Sequence, residues 1–114
     1  MIYEVRLMEQ AKYDLRGIYE YLAFEKQEPE IALKLRNRIV TKLSVLGENP
    51  EKYALYQEEP WKSRGLRRIN LENYCGFYLV AEKHVHVLRI LYGGMDIDAQ
   101  LKRTKYSDSM LTDE

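Results

Sequence analysis

The chain has few of the residues that cross-link a protein, bind a metal or hold it in a membrane. It contains one cysteine, Cys75, so an internal disulfide is excluded. No apolar run approaches the roughly 18 residues that a membrane-spanning helix needs, and the first residues are not a basic leader followed by an apolar stretch. The two histidines, His84 and His86, have no third ligand at a useful spacing. We therefore expect a cytoplasmic protein with no membrane segment, no metal and no cofactor.

An excess of charge of one sign is also missing. The chain has 18 Lys and Arg against 18 Asp and Glu, so its formal net charge is zero. A general electrostatic affinity for nucleic acid is not expected from these totals. The charges are unevenly placed, however, because Lys62, Arg64, Arg67 and Arg68 lie in a stretch without acids, whereas the last residues carry acids and no base. This pattern indicates a local basic patch and an acidic tail.

The hydrophobic pattern of the 114 residues predicts a single α+β domain. Alternation over 3–8 indicates an edge strand, and apolar residues at helical spacing indicate helices over 9–26 and from Pro29 to about residue 46. Residues 48–63 lack a clean period and are expected to form an ordered loop. Strands follow over 65–71, 74–82 and 85–92, with a turn at 82–84, and then a short helix capped near Asp96.

This order of elements predicts an antiparallel helical hairpin packed on one face of a mainly antiparallel four-stranded sheet, with a short C-terminal helix and a mobile tail. Because side chains alternate along a strand, Arg67 and Arg68 are expected on opposite faces. Arg68 then either meets a macromolecular target on the open face or is simply solvated, and Arg67 pairs with an acid. Arg89 lies in an apolar strand and is expected to have a carboxylate partner or an exposed face.

Four short strings, in this order and spacing, resemble the RelE/ParE superfamily of bacterial toxins over residues 2–103. They are Ala11...Asp14-Leu15...Ile18-Tyr19...Tyr21-Leu22, Gly65-Leu66-Arg67, Tyr74...Phe77-Tyr78 and Val87-Leu88-Arg89-Ile90-Leu91-Tyr92-Gly93-Gly94. The resemblance implies a toxin domain over 1–103 with a polar tail over 104–114. It also implies the toxin half of a type II toxin-antitoxin pair, which inhibits growth when free and is neutralised by a cognate antitoxin.

The superfamily contains two activities, ribosome-dependent cleavage of mRNA and poisoning of DNA gyrase, and the fold alone does not separate them. Ribonuclease members place basic residues at four positions that fall here on Leu66, Arg68, Cys75 and Met95. Only Arg68 keeps a charge able to stabilise an anionic phosphate. The resemblance therefore favours the gyrase-poisoning activity, with the mRNA endoribonuclease as the alternative and an inactive module that only binds antitoxin and represses its own operon as the second.

The candidate catalytic residues are Arg67, Arg68, Tyr92 and Glu59, of which Glu59 stands before a proline as the base does in another ribonuclease branch of the superfamily. The candidate contacts to a target or antitoxin are the basic patch and two further side chains: Lys62, Arg64, Arg67, Arg68, Tyr74 and Met95. The expected partners are an antitoxin and either gyrase or the ribosome with its mRNA, and not a membrane or a small-molecule substrate.

Overall fold

A four-stranded sheet carries a helical hairpin on one face. The computed structural model describes residues 2–106. The strands are β1 (Glu4–Leu7), β2 (Arg67–Leu71), β3 (Tyr74–Val80) and β4 (His84–Tyr92). The helices are α1 (Glu9–Glu20), which continues as a π-helical turn over Tyr21–Glu25, α2 (Pro29–Ser44), the short α3 (Trp61–Arg64) and α4 (Ile97–Lys102), with 3-10 turns at Val45–Gly47 and Pro50–Lys52. The predicted fold class is confirmed.

The strands lie in the order β1-β4-β3-β2. The pairs β2 with β3 and β3 with β4 are antiparallel, whereas β1 pairs with β4 in parallel and forms an edge, as predicted. The expectation that His84 lies in the turn before β4 was wrong, because this residue begins the strand, is buried and contacts the Glu4 carboxylate across the β1–β4 pair. The connection between β3 and β4 is therefore residues 81–83, one position earlier than the predicted turn at 82–84.

The main core lies between the sheet and the hairpin. Pro29 occupies the first turn of α2, where its missing N–H costs nothing, and the apolar stripes of α1 and α2 face the strands. The buried side chains of this core come from all of these elements: Ala11, Leu15, Leu35, Ile39, Leu43, Leu46, Ile69, Leu71, Tyr78, Val85, Val87 and Ile90. The hydroxyl of Tyr78 donates to the carbonyl oxygen of Pro50 at 2.6 Å, which ties the loop after α2 to the middle of the sheet.

A second, smaller core covers the face that the sequence predicted to be open. This core lies on the side of β3 and β4 that is turned away from the hairpin. It is formed there by α3, α4 and neighbouring residues of the chain. The buried members are Trp61, Leu66, Cys75, Phe77, Leu79, Leu88, Leu91 and Leu101. The expectation of an open face presenting guanidinium groups was therefore wrong, because β3 and β4 are apolar on both faces, as in sheets covered on both sides.

Arg89 joins the two layers. Its Nε and Nη2 donate to the two carboxylate oxygens of Asp14 in α1, at 2.7 and 3.0 Å, which confirms the expected carboxylate partner. Its Nη1 donates to the carbonyl of Gln100 in α4 and to the Oγ1 of Thr104, at 3.1 and 3.2 Å. The main-chain N–H of Ile90 also donates to Asp14, at 2.9 Å. One ion pair thus connects α1, β4 and the C-terminal helix.

The end of the described chain packs against the domain. The N–H of Lys105 donates to the side-chain oxygen of Gln10 at 2.6 Å, and the ring of Tyr106 lies 6.1 Å from that of Trp61. Residues 107–114, the rest of the tail predicted to be mobile, lie outside the described residues. Within 2–106, no helix is long and apolar enough to cross a membrane, and no group of three or more metal-binding side chains is assembled.

We predict that Asp14→Ala lowers the free energy of unfolding by about 3–5 kcal/mol, because the guanidinium of Arg89 stays buried without its carboxylate. Urea denaturation followed by circular dichroism measures this loss. The control is Glu72→Ala, which breaks the exposed pair between Glu72 and Arg38 and is expected to cost far less. Equal losses for the two variants would contradict the role assigned to Asp14.

Candidate functional site

The sequence-predicted site residues do not form one constellation. The structure places them in four locations: Arg68 in a polar pocket beside β2, Arg67 against the loop before it, Glu59 with Lys62 and Arg64 around α3, and Tyr74 with Tyr92 and Met95 in a groove beside α1. The main core and the second core lie on opposite faces of the sheet, and Tyr74 packs on the first while Arg68 contacts Phe77 of the second. The sheet therefore separates Arg68 from Tyr74.

Arg68 lies in a polar pocket of about 500 Å³. Its guanidinium stands 5.8 Å from the centre of the Phe77 ring, and Asn70 and Glu58 line the same pocket. The hydroxyl of Tyr56 donates a hydrogen bond to the carboxylate of Asp98 at the pocket wall. Burial, and then this carboxylate, raise the pKa of Tyr56 far above its usual range, so Tyr56 stays protonated. The pocket thus presents one cation beside two carboxylates.

Arg67 faces the other way, as strand alternation predicts, but its partners differ from the expected acid. Its Nη1 donates to the carbonyl oxygens of Tyr53 and Glu51, at 2.6 and 3.2 Å. These contacts hold the loop after α2 against β2, which also pairs with Leu55 through an isolated bridge. The charged side chain of Arg67 therefore has a structural role, which is to bind main-chain carbonyl oxygens of this loop.

Glu59, Lys62 and Arg64 lie at or on α3. The carboxylate of Glu59 accepts hydrogen bonds from the main-chain N–H and the hydroxyl of Ser63, at 2.9 and 2.8 Å, and these bonds lower its pKa. The guanidinium of Arg64 stacks on the rings of Trp61 and Tyr106, at 5.2 and 5.4 Å. Glu59 thus acts as a helix-end acceptor, and Lys62 and Arg64 form an exposed cationic corner.

A groove of about 590 Å³ lies between α1 and the end of β4. We call it the tyrosine groove, because Tyr21, Tyr74 and Tyr92 line it together with Met95, while Asp14 and Arg89 form an ion pair in its lining. The rings of Tyr74 and Tyr92 meet edge to face at 5.9 Å. The full lining is Asp14, Gly17, Ile18, Tyr21, Tyr74, Arg89, Ile90, Leu91, Tyr92 and Met95.

Only some of the residues that line this groove were predicted from the sequence. Tyr74, Tyr92 and Met95 were candidates, whereas Asp14, Gly17 and Tyr21 were not. A signal was available for the missed residues, since Gly17 interrupts a helix and Arg89 requires a carboxylate partner. The sequence alone did not show that Arg89 pairs with Asp14, which lies 75 positions away. This pair brings α1 against the end of β4.

Two of the positions at which ribonuclease members of the superfamily carry basic residues are buried here in the second core. Leu66 and Cys75 are each 0% exposed. Burial raises the pKa of the Cys75 thiol, with a smaller opposing effect from the charge of Arg68. A buried, protonated thiol is neither a nucleophile nor a ligand for phosphate.

Two acid-base groups near these positions, Glu59 and Tyr56, have pKa values shifted away from neutral pH. A general acid or base works best with a pKa near the operating pH. The pKa of the Glu59 carboxyl is lowered by its bonds from Ser63, and the pKa of the Tyr56 phenol is raised by burial and Asp98, so both move away from neutrality.

The comparisons with known proteins agree with the architecture. The sequence profile of the family described as "ParE toxin of type II toxin-antitoxin system, parDE" matches residues 5–97. The chain belongs to the ParE toxin family. The predicted membership of the RelE/ParE superfamily is thereby confirmed. A search of curated proteins gives no significant match.

The solved structures that are similar to the chain include two toxin-antitoxin systems. One is the chromosomal ParDE toxin-antitoxin system from P. aeruginosa, with 27% identity, a TM-score of 0.65, and coverage of 80% of this chain and 96% of that one. The other is the toxin-antitoxin complex RelBE2 from Mycobacterium tuberculosis, with 18% identity, a TM-score of 0.56, and coverage of 81% and 99%. At 18% identity, the second likeness shows the fold alone.

We predict that Cys75 does not react with Ellman's reagent in the folded protein at pH 8, because the thiol is buried and its raised pKa keeps the thiolate scarce. Full reaction is expected after unfolding in urea, which serves as the positive control. Rapid release of thionitrobenzoate from the native protein would contradict the second core as described.

Proposed function

We propose that this chain is the toxin of a type II toxin-antitoxin pair, that it arrests growth from the cytoplasm by poisoning DNA gyrase, and that a cognate antitoxin neutralises it. Membership of the ParE toxin family supports this proposal, as does the ParDE structure at 27% identity. The observation that carries the choice of gyrase over the ribosome is the burial of Leu66 and Cys75. Two positions used for cations by ribonuclease members are here apolar and inaccessible.

The location of Met95 supports the same choice. This residue takes a position at which ribonuclease members place arginine, and it lines the tyrosine groove with an exposed, apolar side chain. Arg68, the one cation retained from the ribonuclease set, lies in a pocket with Glu58 and Asp98, whose charges oppose the binding of a phosphate. A small-molecule substrate is not part of the proposal.

We expect repressible expression of the chain to arrest growth and induce the DNA-damage response. The purified protein, incubated with gyrase and supercoiled plasmid, is expected to trap cleaved linear DNA, because a gyrase poison stabilises the broken state. The comparison assay is a translation reaction in which cuts in mRNA are mapped by primer extension. Codon-positioned cuts without any effect on gyrase would overturn the proposal in favour of the endoribonuclease.

Two variants sharpen this test. Arg68→Ala removes the last cation of the ribonuclease set and should leave gyrase poisoning intact, with Arg38→Ala as the control for loss of an exposed cation. Met95→Arg should not strengthen arrest, since it places a guanidinium in an apolar groove. If instead the wild type fails to arrest growth and Met95→Arg restores arrest, the chain is a weakened ribonuclease. If neither arrests growth but both bind antitoxin, it is an inactive binding module.

A further inference from the structure

The helix α2 runs through the longest stretch of the chain without an acidic residue. This stretch lies between Glu30 and Glu48, and its charged residues are all positive: Lys34, Arg36, Arg38 and Lys42. The chain as a whole has equal numbers of positive and negative residues, so the excess on α2 is local. A local excess of one sign is typical of a surface that meets a partner of the other sign.

Three of these cations lie on one exposed face of α2. Because an α-helix has 3.6 residues per turn, Lys34, Arg38 and Lys42 lie within about 80° of one another and about 12 Å along the axis. All three are exposed, and the exposed polar residues Asn37 and Thr41 lie between them. Asn37, Arg38, Thr41 and Lys42 line a depression of about 300 Å³. We call these five residues the α2 face.

The charges of the α2 face destabilise the helix that carries them. Like charges four positions apart on a helix repel each other, whereas a solvated helix face usually mixes charges of both signs. On α1, acids and bases are interspersed, and Lys12 pairs with Glu9 at 3.6 Å. The two repulsive spacings on α2, from Lys34 to Arg38 and from Arg38 to Lys42, are therefore explained by an anionic partner better than by the fold.

Among the described residues, one carboxylate from another element is bound to this face. Glu72, in the turn between β2 and β3, accepts bonds from Nε and Nη2 of Arg38 at 2.6 and 3.0 Å. These bonds, and more weakly the charges of Arg38 and Lys42, lower the pKa of Glu72. The pair fixes the guanidinium between the two lysines and offsets its charge. Lys34 and Lys42 then carry the net charge of the face.

The composition of the α2 face matches the backbone of a nucleic acid. Lysine, arginine, amide and hydroxyl side chains are the groups that bind phosphate oxygens. Each strand of duplex DNA has a phosphate about every 3.4 Å along the axis, so a line of about 12 Å spans three or four of them. The five residues of the face include no aromatic ring on which a base could stack, which favours a duplex over a single strand.

We propose that the α2 face binds the phosphate backbone of duplex DNA, with Lys34 and Lys42 as the main contacts. The choice of DNA rests on the proposed function, because gyrase acts on duplex DNA. A toxin held weakly on this DNA reaches the enzyme faster than it does from free solution. The contact is independent of base sequence, since it is made to phosphates alone.

Fluorescence anisotropy with a labelled duplex of about 20 bp measures the affinity of the full chain at salt concentrations from about 50 to 200 mM. The logarithm of the binding constant is expected to fall with that of the salt concentration with a slope of about −2 to −3. Lys34→Gln combined with Lys42→Gln should weaken binding at least about tenfold and remove about two units of the slope. The melting temperature should rise by about 2 °C, because the repulsion on α2 is relieved.

The matched control is Lys102→Gln. This exposed lysine lies on α4, whose Leu101 packs in the second core on the opposite face of the sheet from α2. The substitution is expected to leave the affinity and the salt dependence unchanged.

Glu72→Gln provides a test of opposite sign. It removes the carboxylate beside Arg38 and keeps the length of the side chain, so the affinity for the duplex should rise about twofold to fivefold. A purely structural role of this pair would not strengthen DNA binding. In the gyrase reaction, the double lysine variant should need a higher toxin concentration than the wild type but trap the same amount of cleaved DNA at saturation.

Other outcomes overturn the inference in distinct ways. Duplex binding that survives the double lysine substitution, or that Lys102→Gln abolishes, would place the DNA contact elsewhere. Tighter binding to single-stranded RNA of the same length would assign the face to RNA. Should the double variant unfold, Glu72→Gln decides, since unchanged or weaker binding by that variant contradicts the charge argument. A wild type that binds the duplex but traps no cleaved DNA with gyrase would refute the proposed function and leave the DNA contact standing.

Discussion

The ion pair between Asp14 and Arg89 is the contact on which the rest of the structure depends. β1 leaves the sheet at Leu7, and beyond that point no described strand lies on the β1 side of β4, so the main-chain N–H of Ile90 needs another acceptor on that side. Asp14 supplies that acceptor and binds the guanidinium at the same time. Through its remaining nitrogen, Arg89 holds the C-terminal end of α4. A helix of the hairpin, the central strand and the C-terminal helix are thus fixed by one buried pair.

This arrangement decides where the molecule can act. Both faces of the sheet are occupied, one by the hairpin and one by the second core, so neither face is available as a broad binding surface. Two concave regions of the described chain lie at the margins of the sheet: the tyrosine groove at the end of β4 and the pocket of Arg68 beside β2. The first is apolar with exposed aromatic rings, and the second is polar with charges of both signs. The groove, with its exposed tyrosine rings and methionine, has the composition of a docking site.

The sequence predicted the elements well because their periods are strong and local. Pro29 marks the start of α2, Asp96 caps α4 through the N–H of Ala99, and the apolar runs of β3 and β4 are unmistakable. It predicted the site poorly because the site depends on contacts far apart in the chain. Strand alternation separated Arg67 from Arg68, but it gave no means to see that Trp61 and Leu101 cover the second face, or that Gly17 faces Tyr92 across a groove.

The most direct measurement of this organisation is a double-mutant cycle on the central pair. Free energies of unfolding are determined for the wild type, Asp14→Ala, Arg89→Ala and the double variant. If the buried pair organises the domain, the two losses are strongly non-additive, with a coupling energy of about 1–3 kcal/mol, because the second substitution removes a charge that the first left unpaired. Simple addition of the two single losses would contradict the central place given to this contact.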